Sequence, residues 1–235
     1  MKCLIIIPAY NEAENIEKVV GNLQENYPQF DYIIINDGST DNTKEICCHN
    51  QYQVLNLPVN MGIGGAVQTG YRYALGNGYE AAVQIDGDGQ HDVSYLEGML
   101  RLLEEGQAEV VIGSRFVEKE GFQTSGARRT GIKILSVLGW MLTGVRVKDI
   151  TSGYRLVNRK FIRIFAEDYP ADYPEPEALV IAAVYRGKIR EFPVVMRERE
   201  KGTSSITLKR SVYYMVKVTL AMLIRRLSFG VRRQK

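Results

Sequence analysis

The sequence predicts an α/β fold, a mostly parallel, doubly wound sheet with helices on both faces. Three observations carry that expectation. Short apolar runs alternate with segments of helical spacing through the first half of the chain, in the order strand, helix, strand, helix, strand, helix, strand. Those runs are apolar almost throughout, as buried strands are. Three of them end abruptly in Asp, Asn and Gly, so polar segments gather at the carboxyl ends, where ligands sit in sheets of this kind.

The elements follow in order. Residues 3–8 form the first strand, and Tyr10-Asn11-Glu12 follows it. Asn11, with Glu14 three residues on, reads as the capping box of a helix carrying Ile16, Val19, Val20, Leu23 and Tyr27. Tyr32–Asn36 is the second strand, ending in Asp37-Gly38-Ser39-Thr40-Asp41, where Thr40 or Asp41 caps the next helix. Val54–Leu57 is the third strand. Asn60-Met61-Gly62-Ile63-Gly64-Gly65-Ala66 then opens the helix of Val67, Tyr71 and Ala74. Glycines there suit either anion binding by exposed N–H groups or close helix–strand packing. The pattern is neither a Walker A motif nor a dinucleotide fingerprint.

Ala81–Ile85 is the fourth strand and delivers Asp86-Gly87-Asp88-Gly89. At extended spacing the two carboxylates point the same way. Mg²⁺ is usually held by one or two carboxylates together with substrate phosphates, so this doublet is a candidate seat for a metal–diphosphate complex; the alternative is a polar turn.

Leu96, Met99, Leu100 and Leu103 mark a helix, and Val110–Gly113 a fifth strand leading to Ser114-Arg115. A basic stretch, Gly121–Thr130, contains Arg128 and Arg129. Ile132–Leu142 reads as a buried or surface-lying amphipathic helix. Asp149–Arg155 reads as a polar turn presenting Asp149 and Arg155. Asp172–Glu177 precedes a helix through Arg186, with Pro176 in its first turn and Glu175 and Glu177 favourable to the helix dipole. Ile189–Met196 is the last strand.

Size and composition bound the function. A chain of 235 residues, 45% hydrophobic and 24% charged, makes one large domain or a domain with an appendage. Three cysteines, two of them adjacent, provide no disulfide framework and point to a reducing compartment. Two histidines cannot assemble a His/Cys zinc cluster. The apolar run Cys3–Ile7 stops at Pro8, too short for the core of a signal peptide. The net charge of +3 is unevenly placed: from Lys201 onward there are nine Lys/Arg and no Asp or Glu. In that tail, Ser211–Leu227 sets Val212, Met215, Val216, Leu220, Leu223 and Leu227 at helical spacing. The run Val212–Ile224 is too short to span a bilayer. It suits a membrane interface, a packed helix or a homo-oligomer contact, and it is too apolar for a basic arm on nucleic acid.

Taken together, IIIPAYNEAENI, IINDGSTD, NMGIGGAVQTG, QIDGDGQHD, GSRF, the segment from Arg128 through Asp149 to TSGYR, and REREKGTSSI occur in an order that resembles family 2 glycosyltransferases of the GT-A (Rossmann-like) fold. The nearest subgroup is similar to the polyprenyl-phosphate (dolichyl- or undecaprenyl-phosphate) hexosyltransferases. The resemblance spans about residues 3–206. It implies a catalytic domain over residues 1–204; the basic amphipathic helix expected over 205–235 departs from the subgroup, many of whose members carry a pair of transmembrane helices there.

The resemblance implies site roles at matching positions. Pro8, Tyr10 and Glu12 would line the nucleotide pocket and Asp37 would contact the base of a UDP-, GDP- or dTDP-sugar. Asp86 would face ribose or metal, Asp88 would bind Mg²⁺ or Mn²⁺, and Gln90 would lie beside the sugar or metal. Arg115, Arg128, Arg129 and Arg155, with Ser204 in the Gly202–Ser205 loop, would take acceptor or donor phosphates. Glu177, or its neighbour Glu175, stands where many family 2 enzymes place a catalytic acid or base. The implied enzyme is metal-dependent and inverting, peripheral on the cytoplasmic face of the membrane. Its acceptor is a polyprenyl phosphate or a glycan hydroxyl. A nucleotidyltransferase is disfavoured by the lack of a Gly-rich loop after the first strand; a non-catalytic nucleotide-sugar-binding or membrane scaffold protein is the remaining rival.

Overall fold

The structure is a computed structural model and describes residues 1–118, 126–196 and 208–232. Seven strands form one sheet: β1 (Cys3–Ala9), β2 (Asp31–Asn36), β3 (Val54–Asn56), β4 (Ala81–Gln84), β5 (Val110–Ser114), β6 (Arg155–Asn158) and β7 (Ile189–Pro193). Their order across the sheet is β3-β2-β1-β4-β6-β5-β7. β1 pairs in parallel with β2 and β4, β2 with β3, and β5 with β7; β6 runs antiparallel between β4 and β5. The expected mostly parallel α/β sheet is therefore present, with one strand the sequence did not announce. The expected polar turn Asp149–Arg155 takes in only the first residue of β6, and a strand of four residues that begins with a charge shows no periodicity.

The apolar runs alternate between two cores. Leu4, Ile6, Ile33, Ile35 and Ala82 enter one, while Ile5, Ile7, Ile34, Ala81 and Val83 enter the other. This two-sided burial requires helices on both faces. One face is covered by α1 (Ile16–Asn26), α2 (Thr43–His49) and α4 (Leu96–Glu104), which deliver Ile16, Val20, Leu23, Cys47, Leu96 and Met99. The other is covered by α3 (Gly62–Gly76), α5 (Gly126–Thr143), α6 (Arg159–Glu167), α7 (Pro174–Val184) and α8 (Leu208–Arg232). Between β4 and α4 lies a short 3-10 turn, Val93–Tyr95, capped by Asp92, whose Oδ1 accepts the Ser94 N–H.

Two helix starts differ from expectation. Asn11 does not cap α1. It sits at φ 55° and its Oδ1 accepts the Thr40 N–H at 2.8 Å, tying the loop after β1 to the loop after β2. The Glu12 carbonyl instead accepts from the Asn15 and Ile16 amides. Asp41 does serve the start of α2, accepting from Thr43 N and Oγ1, and it also takes the Ala13 N–H. Burial raises its carboxyl, but these hydrogen bonds outweigh burial and hold it below the usual Asp value.

The glycine-rich start of α3 is explained by packing at Gly64. A Cβ there would overlap the carbonyl oxygens of Pro170 and Ala171, and the Gly64 N–H donates to the Ala171 oxygen at 3.2 Å. α3 thus touches the α6–α7 connection backbone to backbone. α8 packs through Val218 and Met222, both fully buried, against the same core. Val216 and Leu220, expected on its apolar side, face outward with Ile224 and Leu227. Among the described residues no helix is long and apolar enough to cross a membrane.

Since neither backbone carbonyl beside Gly64 can retreat without moving the chain that leads into α7, Gly64→Ala is expected to lower unfolding free energy by about 1–3 kcal/mol or more. Urea denaturation checks this, with Gly76→Ala, a site with open space around it, as the tolerated control.

Candidate active site

Parallel strands place their carboxyl ends on one edge. Ala9 lies opposite Asn36 and Ile6 opposite Gln84, so the segments after β1, β2 and β4 emerge together. Between them opens a cleft of about 500 Å³ lined by Pro8, Ala9, Tyr10, Glu12, Asp37, Asn60, Gly62, Ile63, Ala66, Asp86, Gly87, Asp88 and Glu175. The structure therefore brings six of the expected site residues to one cavity: Pro8, Tyr10, Glu12, Asp37, Asp86 and Asp88.

Each wall has a local cause. Asp37 is buried, and its Oδ1 accepts the Met61 N–H at 2.7 Å, joining the β2 loop to the start of α3. That approach depends on Gly38, at φ 66°, where a Cβ would lie 2.7 Å from the Asn60 nitrogen. Tyr10 stands exposed at the rim. Asp86 is oriented by two neighbours: Gln84 Nε2 donates to its Oδ1 at 3.1 Å, and the Asp86 N–H donates to His91 Nδ1 at 3.0 Å. His91 is buried and its ring stacks on Tyr154 at a centroid distance of 5.0 Å. The Tyr154 hydroxyl in turn donates to the Asp92 carbonyl at 3.0 Å. His91 is a residue that sequence reasoning passed over, using it only to exclude zinc. The signal was its place five residues after Asp86, within reach of the same turn. Gln90 donates its backbone N–H to Asp88 Oδ1 at 3.1 Å, and its side chain is not among the cleft-lining groups.

Asp86 and Asp88 offer two hard oxygen donors in one cavity, and among the described residues no group of three or more His, Cys, Asp or Glu could hold a metal ion alone. That donor set fits Mg²⁺ or Mn²⁺ shared with a diphosphate rather than a closed protein cage.

Three of the expected residues have partners within the fold. The cleft is lined by Glu175 and not by Glu177, because the first turn of α7 directs the two carboxyls to different neighbours. Glu177 Oε2 lies 3.6 Å from Arg225 Nε on α8. Arg155 is not presented to a ligand: it is 2% exposed, with Nε donating to the Ser152 carbonyl and Nη2 to the Ile150 carbonyl. As the first residue of β6 it lies opposite Gln84 of β4, and its charge acts on Glu175 in the cleft lining. Arg115 is held by Asp149, which accepts from Nε at 2.7 Å, Nη2 at 2.7 Å and the backbone N–H at 3.1 Å. Asp149 is itself fully buried and donates its N–H to Glu191 Oε1. Arg129 is exposed in the first turn of α5, its guanidinium 5.8 Å from the Phe116 ring centroid. The Arg128 side chain, Ser204 and the Gly202–Ser205 loop lie outside the described residues.

Glu175 is the perturbed carboxyl of the cleft. Burial pushes it above the usual Glu value, Arg155 pulls the other way, and Asp86 adds a push upward. Because the folded chain holds this proton to higher pH than the unfolded chain, stability falls as pH rises from about 4.5 through the folded value. Glu175→Gln is therefore expected to be more stable than the parent at neutral pH, with the difference vanishing near pH 4; urea titrations at a series of pH values measure it. The Arg115–Asp149 pair carries the opposite expectation. Asp149→Ala removes the carboxylate that faces a guanidinium only 12% exposed and should cost about 3–5 kcal/mol in the same assay.

Comparison with known proteins shows the family and the fold. Residues 4–165 match the family model described as glycosyl transferase family 2. The chain is 30% identical over 217 residues to a polyprenol monophosphomannose synthase of Mycolicibacterium smegmatis, covering 88% of this chain and 81% of that protein. It is 31% identical over 221 residues to an undecaprenyl-phosphate mannosyltransferase of Micrococcus luteus, covering 88% of each. A third relative, 32% identical over 210 residues, is a UDP-N-acetylglucosamine–dolichyl-phosphate N-acetylglucosaminyltransferase of Methanococcus voltae, with 81% of this chain and 83% of that protein covered. Among solved structures, a glucosyl-3-phosphoglycerate synthase from Mycobacterium tuberculosis in complex with Mn²⁺, UDP-glucose and phosphoglyceric acid superposes with a TM-score of 0.70 at 20% identity, covering 96% of this chain and 79% of that one.

Proposed function

Because the chain belongs to glycosyl transferase family 2 and is a glycosyltransferase, we propose that it moves a hexose from a nucleoside-diphosphate sugar to a polyprenyl phosphate, with inversion at the anomeric carbon. The observation that carries this reading is the shared cleft of Asp37, Asp86 and Asp88 at the carboxyl edge of the sheet. The acceptor class is supported by the names of the three relatives, all of which act on polyprenol, undecaprenyl or dolichyl phosphates.

In this reading Pro8, Tyr10, Glu12 and Asp37 receive the nucleoside, and Asp86 and Asp88 hold Mg²⁺ or Mn²⁺ against the donor diphosphate. When bound, the cation neutralises charge developing on the leaving diphosphate. An oxygen of the acceptor phosphate forms the new bond to the anomeric carbon as the bond to the donor diphosphate breaks, and the electron pair leaves with the nucleoside diphosphate. A phosphate monoester is largely dianionic at neutral pH, its second pKa being about 6, so no protein base has to deprotonate it. With Arg115 and Arg155 engaged inside the protein, the acceptor phosphate falls to Arg129, together with Arg128 and the Gly202–Ser205 loop. In this reading the enzyme works as a peripheral protein at the inner, cytoplasmic membrane face, where a lipid-borne acceptor would meet the nucleotide sugar.

One observation favours a second reading. Glu175 faces the same cleft with a raised carboxyl, as a base for a sugar hydroxyl would. The two readings separate in a product assay. Nucleoside diphosphate release should need both a polyprenyl phosphate and Mn²⁺ or Mg²⁺, should fall at least about 10²-fold in Asp88→Asn, and should change only mildly in Glu175→Gln. Arg129→Ala should raise the acceptor KM more than it lowers kcat. A loss of about 10²-fold or more in Glu175→Gln, with turnover of glycan acceptors, would establish the hydroxyl reading instead. Unchanged turnover in Asp88→Asn would remove the metal-bound diphosphate from the account.

A further inference from the structure

β4 runs out of strand partners just before the acidic doublet. On one edge the Ile85 N–H still donates to the Ile6 carbonyl of β1 at 3.0 Å. On the other edge the ladder with β6 ends at the pair Gln84 and Arg155. The Asp86 amide therefore lies one step beyond the sheet, and a main-chain donor in the interior has to be paired. A side chain takes it: His91 Nδ1 accepts the Asp86 N–H at 3.0 Å.

That bond fixes the ring. With the Nδ1 lone pair in use, the imidazole proton sits on Nε2. Nε2 lies 3.8 Å from Asp86 Oδ2, too long for a hydrogen bond, yet near enough for its N–H dipole to favour a carboxylate there. One imidazole thus faces both the main chain and the carboxylate of the same residue. The second carboxylate oxygen, Oδ1, accepts from Gln84 Nε2 at 3.1 Å.

The ring has no room to leave. The His91 side chain is 3% exposed and lies on the Tyr154 ring at an interplanar angle of 23°. Tyr154 is fully buried, wedged beside Gly113 of β5, where a Cβ would come within 3.0 Å of its Cδ1. Gly153 closes the remaining side: a Cβ there would lie 3.4 Å from each Asp86 carboxylate oxygen. The Asp86 side chain is left 38% exposed, in the lining of the cleft.

We infer that His91 is a positioning residue for the cation site: backed by Tyr154, it holds Asp86 in its cation-binding orientation before any ligand arrives. The inference rests on the reading that Asp86 and Asp88 hold the cation, and it deepens that reading. Mg²⁺ demands near-ideal ligand geometry, and neighbours that orient a metal-binding carboxylate typically govern affinity by about 10–100-fold. His91 itself need not touch the ion.

Two substitutions separate positioning from packing. His91→Phe keeps a ring to lie on Tyr154 but has no acceptor for the Asp86 N–H. His91→Asn loses the ring but keeps an acceptor. Calorimetric titration of UDP, GDP and dTDP in the presence of Mn²⁺ is the readout, with circular dichroism as the check on folding. For the nucleoside diphosphate that binds the parent, the metal-dependent affinity of His91→Phe should fall about 10–100-fold. His91→Asn should stay closer to the parent. In turnover, His91→Phe should need more Mn²⁺ rather than show a lower kcat at saturating ion. Parent-like binding by His91→Phe, or weaker binding by His91→Asn than by His91→Phe, would overturn the inference in favour of packing.

A measurement on the intact protein stands even if a variant fails to fold. The chain has two histidines, and His49 is exposed at the end of α2, so His49→Gln assigns the ring signals in a long-range ¹H–¹⁵N spectrum. His91 should show one fixed tautomer, with Nε2 protonated and Nδ1 bare. A proton on Nδ1, or a ring averaging between tautomers, would overturn the inference. Should Asp86→Asn lose the metal-dependent gain while His91→Phe binds as the parent does, the positioning role falls and the cation reading stands. Should Asp86→Asn bind as the parent does, both fall.

Discussion

The central constraint is that β1 is buried on both faces and paired on both edges. All seven of its residues are inaccessible, with β2 on one side and β4 on the other, both parallel to it. A strand so enclosed can change from apolar to polar only at its end. β4 is buried throughout and β2 from Ile33 on, and their parallel pairing with β1 makes the carboxyl ends coincide. The cleft is a consequence: Tyr10 and Glu12, Asp37, and Asp86 and Asp88 meet because the three strands that precede them have no other place to become hydrophilic.

Around that edge the protein spends polar groups on holding backbone rather than on reaching solvent. Asn11 ties the β1 loop to the β2 loop, Asp37 ties the β2 loop to α3, and His91 ties the acidic turn back onto Tyr154. Arg115 and Asp149 close the far side as a buried pair. Buried ionic groups of this sort are costly unless fully hydrogen-bonded, and these are, through several bonds each. The result is a rigid rim in which the cleft-facing carboxyls are positioned before any ligand arrives. Glu175 is the exception, a carboxyl whose ionisation the fold disfavours, placed where chemistry could use it.

Much of this was legible in the sequence, for identifiable reasons. Near-continuous apolar runs fixed where β1, β2 and β4 lie, and the Asp/Gly clusters after them marked the functional edge. Three things were not legible. β6 is short and begins with Arg155, so no periodicity exposes it; only the pairing of Leu156 and Val157 with β4 and β5 makes it a strand. The resemblance gives Arg115 and Arg155 phosphate roles without showing their partners, which are Asp149 in one case and main-chain carbonyls in the other. Glu175 and Glu177 sit two residues apart in one helical turn. Which of them meets the cleft depends on how the first turn of α7 is rotated against the sheet; Glu177 is turned to Arg225 on α8, 48 positions away.

The central claim is that Asp86 and Asp88 act together, through a divalent cation, to hold the donor's diphosphate. Calorimetric titration of nucleoside diphosphates with and without Mn²⁺ tests it most directly, on the parent protein and on Asp86→Asn and Asp88→Asn. The account predicts that one nucleoside diphosphate binds the parent only when the ion is present, and that each variant loses that metal-dependent gain. Metal-independent binding of equal strength in all three proteins would contradict it.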